Sequence, residues 1–515
     1  MIKITKNMPC KRFNNHWQFC VGSPHATYAL RRDYYEQLKT VHDELGIQQV
    51  RFHGIFCDDM HTLHKLTDLF PIPGGNSVTE QSFRWCAAAY DNILAAGMKP
   101  FVELSFMPRH LAKKNKKGMF FYKPCISPPM DKQEWSEYIK SFIRFLIDRY
   151  GEDEIETWYF EVWNEPDLKL PFFAGSQKDY FELYAVTVKA IKSINKNIKT
   201  GGPSTSGSKW VREFIGYCKC NNIPLDFITT HQYAGDPLGG IDGDKDKAKI
   251  NINPFAAMGK NKPQSFLGVF RKLMATDKVY DSFKKDNLIN SAANARRQTG
   301  TLPLYYTEWN LCASFSAECN DTRMVAAYDV HSILGTSDTV DGSSIWCFTD
   351  LFEELHPFAD EFHGGFGIMT QSGIRKPVFH ALKFLADAGE NRIVLDEQSE
   401  KSDIAAFRTG DDINIIATLP VLSKDNRQSE KLSFAVECDK PVSVKLSRID
   451  ENNANPYAVW QSMGAPQVPT KSQVDEINNR SSVCSEEIPF EYKDGFVYFD
   501  FIINDNDVIK AEIKT

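Results

Sequence analysis

Short β-rich runs alternate with amphipathic helical stretches through the first 385 residues, and this alternation constrains the fold more than any other feature of the chain. The β-rich runs cover residues 17–22, 48–56, 99–106, 158–163, 198–204, 226–233, 302–310 and 343–349. Helical patterns separate them at 32–45, 81–96, 132–150, 178–194, 209–221, 281–299 and 322–334, with an eighth at 377–388. Each carries apolar residues near i, i+3, i+4 spacing. In 132–150, Trp135, Tyr138, Ile139, Phe142, Phe145 and Leu146 mark one face, and Glu134, Glu137, Lys140 and Arg144 the other. Eight strand–helix units predict an α/β fold, a (β/α)8 TIM barrel spanning residues 14–385. A doubly wound open sheet is the alternative. It usually needs fewer units and a Gly-rich first turn, which this chain lacks.

After about residue 389 the texture changes. Segments 392–395, 404–408, 413–419, 432–436, 442–447, 495–502 and 508–513 are short and rich in β-branched residues, with Asp, Asn, Lys and Gly between them. Regular short strands with turn punctuation predict a β-sandwich accessory domain over 386–515. Residues 1–13, through Ile2-Lys3-Ile4, are expected to add a strand to it. A short helix at 473–478 interrupts the pattern. Two long irregular stretches, 236–255 and 352–376, follow the sixth and eighth barrel strands. Loops of that length are usually functional, and these lie on the face where barrels carry their active sites.

The net charge of −7 leaves no basic footprint for nucleic acid. No run of 18 apolar residues exists to span a membrane. Lys6, Asn7 and Lys11 interrupt the N-terminal apolar stretch, so no secretory signal is expected. The twelve cysteines are scattered without a CxxC pair. They read as free thiols, and the expected location is cytoplasmic. His61 and His64 lack a third ligand, and no HExxH occurs. The run from Gly202 to Lys209 ends in Ser-Lys where a phosphate loop needs Lys-Ser/Thr. No metal and no cofactor are expected. A sandwich beside a barrel can supply subunit contacts, so a homo-oligomer stays open.

Chemistry concentrates at two strand ends. Trp158-Tyr159-Phe160-Glu161-Val162-Trp163 reads as a strand, and Asn164-Glu165-Pro166 stops it. Pro166 has no donor for a ladder and is expected to push Glu165 into an extended conformation. The seventh strand carries Tyr306-Thr307-Glu308-Trp309-Asn310, and strict alternation would put Tyr306, Glu308 and Asn310 on one side. Two carboxyl groups facing one cleft are the minimum kit for glycoside hydrolysis. One must hold a proton for the leaving oxygen, and the other must be ionised. A lone glutamate at a strand end is often a structural ion-pair partner. Two at matching ends, each beside Trp and Asn, favour catalysis. Their spacing, which separates retention from inversion, is not legible here. Trp163, Trp309 and Trp346 end strands where a sugar ring could stack.

The segments Arg51-Phe52-His53-Gly54-Ile55-Phe56-Cys57-Asp58-Asp59-Met60, Phe101-Val102-Glu103-Leu104-Ser105-Phe106-Met107-Pro108, Phe160-Glu161-Val162-Trp163-Asn164-Glu165-Pro166, Tyr306-Thr307-Glu308-Trp309-Asn310 and His363-Gly364-Gly365-Phe366-Gly367 resemble glycoside hydrolase family 39, the family of β-xylosidases. The resemblance runs over nearly the whole chain. It implies a retaining mechanism with Glu165 as acid/base and Glu308 as nucleophile. It implies that Asn164 binds the sugar 2-hydroxyl, and that His53, His231 and Tyr233 surround the −1 sugar. Trp346 would form a floor under the ring, with Glu354 (or its neighbour Glu353), Phe366 and Phe121 as further substrate contacts. The implied substrate is a small oligosaccharide or aryl glycoside, cut by exo-acting release of xylose from the non-reducing end. The 234–299 region does not align with the family pattern, and Asp167 stands where Asn is familiar. The alternatives are the same barrel acting on an α-L-arabinofuranoside, a β-glucoside or a uronide, and a non-catalytic carbohydrate-binding barrel. The last would usually have lost one of the two glutamates.

Overall fold

Eight parallel strands close into a barrel in the computed structural model, which describes residues 1–235, 265–274, 276–352, 358–439 and 441–515. The strands are β1 (Cys20–Ser23), β2 (Gln49–Phe52), β3 (Lys99–Glu103), β4 (Tyr159–Glu161), β5 (Lys199–Thr205), β6 (Phe227–Gly235), β7 (Leu304–Cys312) and β8 (Gly342–Ile345). Each follows its neighbour in chain order around the ring, and β8 pairs with β1 to close it. The outer helices are α1 (Arg32–Leu45), α2 (Arg84–Ala95), α3 (Lys132–Tyr150), α4 (Gln177–Ile194), α5 (Val211–Cys220), α6 (Asn287–Thr299), α7 (Arg323–Thr336) and α8 (Pro377–Ala388). The α/β barrel expected from the alternation is the fold observed.

Local chemistry explains where the helices start and stop. The Asp131 carboxylate accepts from the backbone N–H groups of Gln133 and Glu134 to open α3, and Gly151 at φ +89° ends it. Ser176 and Asp179 cap each other's backbone at the start of α4. The floor of the barrel is apolar: Cys20, Phe101, Phe227 and Tyr305 are buried there with Phe19 and Tyr159 packed against them. Phe19 stacks on Tyr305 with ring centroids 4.7 Å apart.

Two strands of the barrel break register. Thr229 pairs with Pro203 but Thr230 with Thr205, which leaves Ser204 unpaired at φ +54°. Thr230 pairs with Tyr306 but His231 with Glu308, which leaves Thr307 unpaired. An extra residue of this kind re-aims the side chains that follow it. The expectation that Tyr306 shares a side with Glu308 therefore fails. Tyr306 turns out to the helices, with its hydroxyl 2.8 Å from Ser208 Oγ and 3.2 Å from Ser291 Oγ on α6. Thr307 turns in, and its hydroxyl donates to Glu161 Oε1 at 2.8 Å.

Two further sheets stack beside the barrel. One runs in the order Ile2–Ile4, Ser429–Glu437, Phe496–Asn504, Glu491–Lys493. The other runs Ser485–Glu487, Ser443–Ile449, Val508–Lys514, Asp412–Thr418, Asp403–Thr409, Asn391–Ile393, Cys10–Arg12. Their inner faces share a core that includes Phe434, Phe499 and Ile503 from the first sheet and Ile404, Ile415 and Ile509 from the second. The outer face of the second sheet, through Ala405, Phe407, Ile416 and Val508, joins the barrel core. That sheet is buried on both faces, and Asp412–Thr418 is accordingly buried at every position after Asp412. The helix at Lys471–Arg480 is longer than expected, and a second at Pro456–Ser462 was not expected. Among the described residues no helix is long and apolar enough to cross a membrane, and no disulfide joins any two cysteines.

Candidate active site

The carboxyl ends of β2, β3, β4, β6 and β7 bring a charged cluster to the barrel mouth. Arg51 on β2 stands at its centre, fully buried. Its guanidinium donates to Glu161 Oε2 at 2.6 Å, Glu308 Oε1 at 2.9 Å and Asn164 Oδ1 at 2.9 Å, and contacts Glu103 Oε2 at 2.8 Å. Burial opposes a charge on Arg51, but Glu161, Glu103 and Glu308 outweigh it and hold the proton on. Glu103 feels the same burial, yet His53 and Arg51 keep its carboxyl below the usual range. Glu161 is pushed up by burial despite Arg51.

Glu308 sits above this layer. Its carboxylate accepts from Arg51 and, at 3.0 Å, from the Tyr233 hydroxyl. His53 Nε2 lies 3.4 Å away, while His53 Nδ1 faces Glu103 at 2.7 Å. Burial pushes the Glu308 carboxyl up, and the neighbouring His53 and Arg51 limit the rise. Glu165 faces Glu308 across His231, whose Nδ1 is 3.0 Å from Glu165 Oε1 and 3.6 Å from Glu308 Oε2. Burial, Arg51 and His53 hold His231 well below its ordinary pKa, so its ring is neutral. One carboxyl oxygen of Glu165 and one of Glu308 lie within 4.8 Å of each other.

Glu165 is not extended. Its φ is +39°, and that of Trp163 is +73°. The preference imposed by Pro166 is overridden because the Glu165 N–H donates to Ser204 O at 2.9 Å while the carboxyl meets His231. Such backbone costs about 1–3 kcal/mol per residue and persists where the surroundings over-determine it. Asp167 helps: it accepts from the Ser206 N–H at 3.0 Å and pairs with Lys209 at 3.1 Å. The Ser-Lys run is thus the partner of the Glu165 loop.

The other expected residues divide. Asn164 is fully buried beside the carboxyl pair, and its Nδ2 has no hydrogen-bond partner among the described residues. The Trp346 ring lies 4.7 Å from His53. Tyr233, Trp346 and Phe366 share one aromatic cluster, although Phe366 reaches Trp346 through Phe352, at 5.6 Å and 6.1 Å respectively. Phe121 is 59% exposed, and its neighbour Phe120 packs inward on Phe172 at 5.1 Å instead. Phe172 in turn stands 6.0 Å from His53. Trp163 is fully buried in the wall, with its indole N–H donated to Phe172 O at 2.9 Å. Glu353, Glu354 and the 236–255 stretch lie outside the described residues. Arg51, Glu103, Glu161 and Ser204 were missed by sequence reasoning. A signal existed for three of them: charged residues inside otherwise apolar barrel strands.

A closed parallel barrel with two buried carboxyl groups this close at its mouth defines a barrel glycosidase in class. Comparison with known proteins narrows the class. The model described as glycosyl hydrolases family 39 matches residues 1–242 and 257–494, and the chain belongs to that family. It is 34% identical over 523 residues to a β-xylosidase of Caldicellulosiruptor saccharolyticus, covering 100% of this chain and 99% of that protein. It is 28% identical over 508 residues to a β-xylosidase of Geobacillus stearothermophilus, covering 98% and 94%. The crystal structure of a monomeric β-xylosidase from Caulobacter crescentus CB15 superposes with a TM-score of 0.78 at 28% identity, covering 100% and 99%.

Proposed function

We propose that the chain is a retaining, exo-acting β-xylosidase that releases xylose from the non-reducing end of short xylo-oligosaccharides. The observation that carries the retaining part of this reading is that one carboxyl oxygen of Glu165 and one of Glu308 lie within 4.8 Å of each other. Retaining enzymes hold their carboxyl groups about 5–5.5 Å apart, and inverting ones about 6.5–9.5 Å apart to admit a water between them. Glu308 is the nucleophile: its lone pair forms the bond to the anomeric carbon as the glycosidic oxygen leaves. Arg51, Tyr233 and His53 favour its ionised form and fix its direction. Glu165 gives a proton to the leaving oxygen. In the second step it takes one from water, which displaces Glu308 and restores both carboxyl groups. The Asn164 amide has its oxygen fixed by Arg51 and its Nδ2 available to the sugar 2-hydroxyl, a contact that strengthens in the transition state. His53 and His231 line the sugar, and Trp346 supports its apolar face. The cysteines without disulfides support a reducing, cytoplasmic setting, and the relatives' names support a small glycoside as substrate. Nitrophenyl β-xyloside, α-L-arabinofuranoside and β-glucoside assayed side by side test this reading. The β-xyloside is expected to give the highest kcat/KM. Faster turnover of either other glycoside would sink the xylosidase assignment, and turnover of none would sink the enzyme.

A further inference from the structure

Both register breaks in the barrel aim a hydroxyl at one atom. Ser204 on β5 and Thr307 on β7 are the residues left unpaired on either side of β6. His231 on β6 lies between them, with its Nε2 3.2 Å from Ser204 Oγ and 3.2 Å from Thr307 Oγ1. All three residues are buried. The other ring nitrogen, Nδ1, is 3.0 Å from Glu165 Oε1. Which nitrogen carries the ring proton therefore decides what Glu165 meets.

The hydrogen bonds on the far side of the ring settle the tautomer. The Arg51 guanidinium can only donate. It donates to Glu161 Oε2 at 2.6 Å and to Ser204 Oγ at 3.2 Å. Glu161, the carboxylate of that ion pair, takes the single Thr307 hydroxyl proton on Oε1 at 2.8 Å. Thr307 Oγ1 then faces His231 with lone pairs alone, so their contact is a hydrogen bond only when Nε2 carries the proton. Ser204 Oγ, already accepting from Arg51, has a second lone pair for the same proton. The ring is neutral, because burial, Arg51 and His53 oppose a second proton. Nδ1 is then bare. A carboxylate oxygen would be repelled by a bare nitrogen at this distance, whereas a carboxylic acid donates to it.

We propose that Thr307 is a positioning residue that fixes His231 as its Nε2–H tautomer and so keeps the resting Glu165 protonated, ready for the leaving oxygen. The inference rests on the reading of Glu165 as acid/base. Glu165 and Glu308 face Nδ1, the latter with Oε2 at 3.6 Å, while Arg51 and Glu161 stand behind the two hydroxyls and His53 lies beyond. Once the proton has gone, the bare nitrogen disfavours the Glu165 carboxylate, which helps it take a proton from water in the second step.

The basic limb of kcat/KM for phenyl β-xyloside, a substrate with a poor leaving group, reports loss of the Glu165 proton. Thr307→Val keeps the side chain's shape and removes the acceptor. Ser204 is then free to turn its own proton to Nε2, and Nδ1–H donates to an ionised Glu165. The basic limb is expected to fall by about one to two pH units, and Thr307→Ser, which keeps the hydroxyl, is expected to hold the wild-type limb. Nitrogen NMR of the histidine-labelled full chain reads the tautomer itself, with the His231 signal identified by its loss in His231→Asn. The wild type is expected to carry the proton on Nε2, and Thr307→Val on Nδ1. Glu165→Ala separates the two readings: it is expected to lose far more on phenyl than on dinitrophenyl β-xyloside, and equal losses would overturn the acid/base role itself. With unequal losses, a wild-type His231 protonated on Nδ1, an unmoved basic limb in Thr307→Val, or a Thr307→Ser limb that falls equally far would each overturn the tautomer lock alone.

Discussion

Arg51 shows what the residue scale adds. It neutralises part of a layer holding Glu103, Glu161 and Glu308, and without it three buried carboxylates would face one another. The proposed nucleophile therefore has its ionisation set by neighbours as much as by burial. Glu308 must be ionised to attack, and burial raises its pKa. The acid limb of kcat/KM is expected above the ordinary carboxylate range. Tyr233→Phe removes a hydrogen bond to the charged form, which raises the Glu308 pKa further. Such bonds contribute about 1.5–3 kcal/mol, so the acid limb should move up by about one to two pH units. A pH profile of kcat/KM checks this, and an unmoved acid limb contradicts it. The two glutamates were legible in the sequence because each lies near the carboxyl end of an aromatic-rich strand, with a tryptophan and an asparagine within two residues. The Arg51 network was less so, since a pattern of types does not say that three strands aim their charges at one point.

At the scale of elements, period-3.6 patterns gave the helices well. The bounds of α1, α3 and α8 match the expected ones, because caps and glycines mark their ends. The strands were located but not their faces. An inserted residue such as Ser204 or Thr307 leaves composition and alternation almost unchanged, yet it turns the following side chains. Helix α7, expected at 322–334 and found at Arg323–Thr336, has no polar face to mark which side meets the barrel, because it is buried nearly all round. It carries Asp329, fully buried, with neither carboxyl oxygen hydrogen-bonded among the described residues. Burial raises its pKa well above the ordinary value. A raised carboxyl pKa contributes stability below the unfolded-state value of about 3.9 and loses it as pH rises through the folded-state value. Asp329→Asn cannot ionise, so it should melt higher than wild type near pH 8 by several degrees and match it near pH 4. Equal Tm values at both pH values would argue against a raised Asp329 pKa.

At the scale of the whole molecule, the accessory sheets do more than cover the barrel's flank. Trp460, from the helix at Pro456–Ser462, packs on Phe362 with ring centroids 5.3 Å apart, in a cluster with Ile374 and Ile477. Asn478 Oδ1 accepts from the Arg375 N–H at 3.0 Å. The loop that carries Phe366 is thus clamped from outside the barrel. Trp460→Ala should lower stability by about 3–5 kcal/mol and raise KM more than it lowers kcat, since the clamped loop carries Phe366, which packs through Phe352 toward Trp346 rather than against the carboxyl pair. Denaturant unfolding with steady-state kinetics checks both, and an unchanged KM contradicts the clamp. The change in texture near residue 389 announced a second region of chain. Nothing in it announced this contact, because burial between domains leaves no period of its own.

The central claim, that Glu165 and Glu308 act as a retaining pair, is tested most directly by the anomer first released. Proton NMR of nitrophenyl β-xyloside hydrolysis, read before mutarotation, should show β-xylose forming first and α-xylose appearing only later. α-Xylose as the first product would mean inversion and would contradict the account.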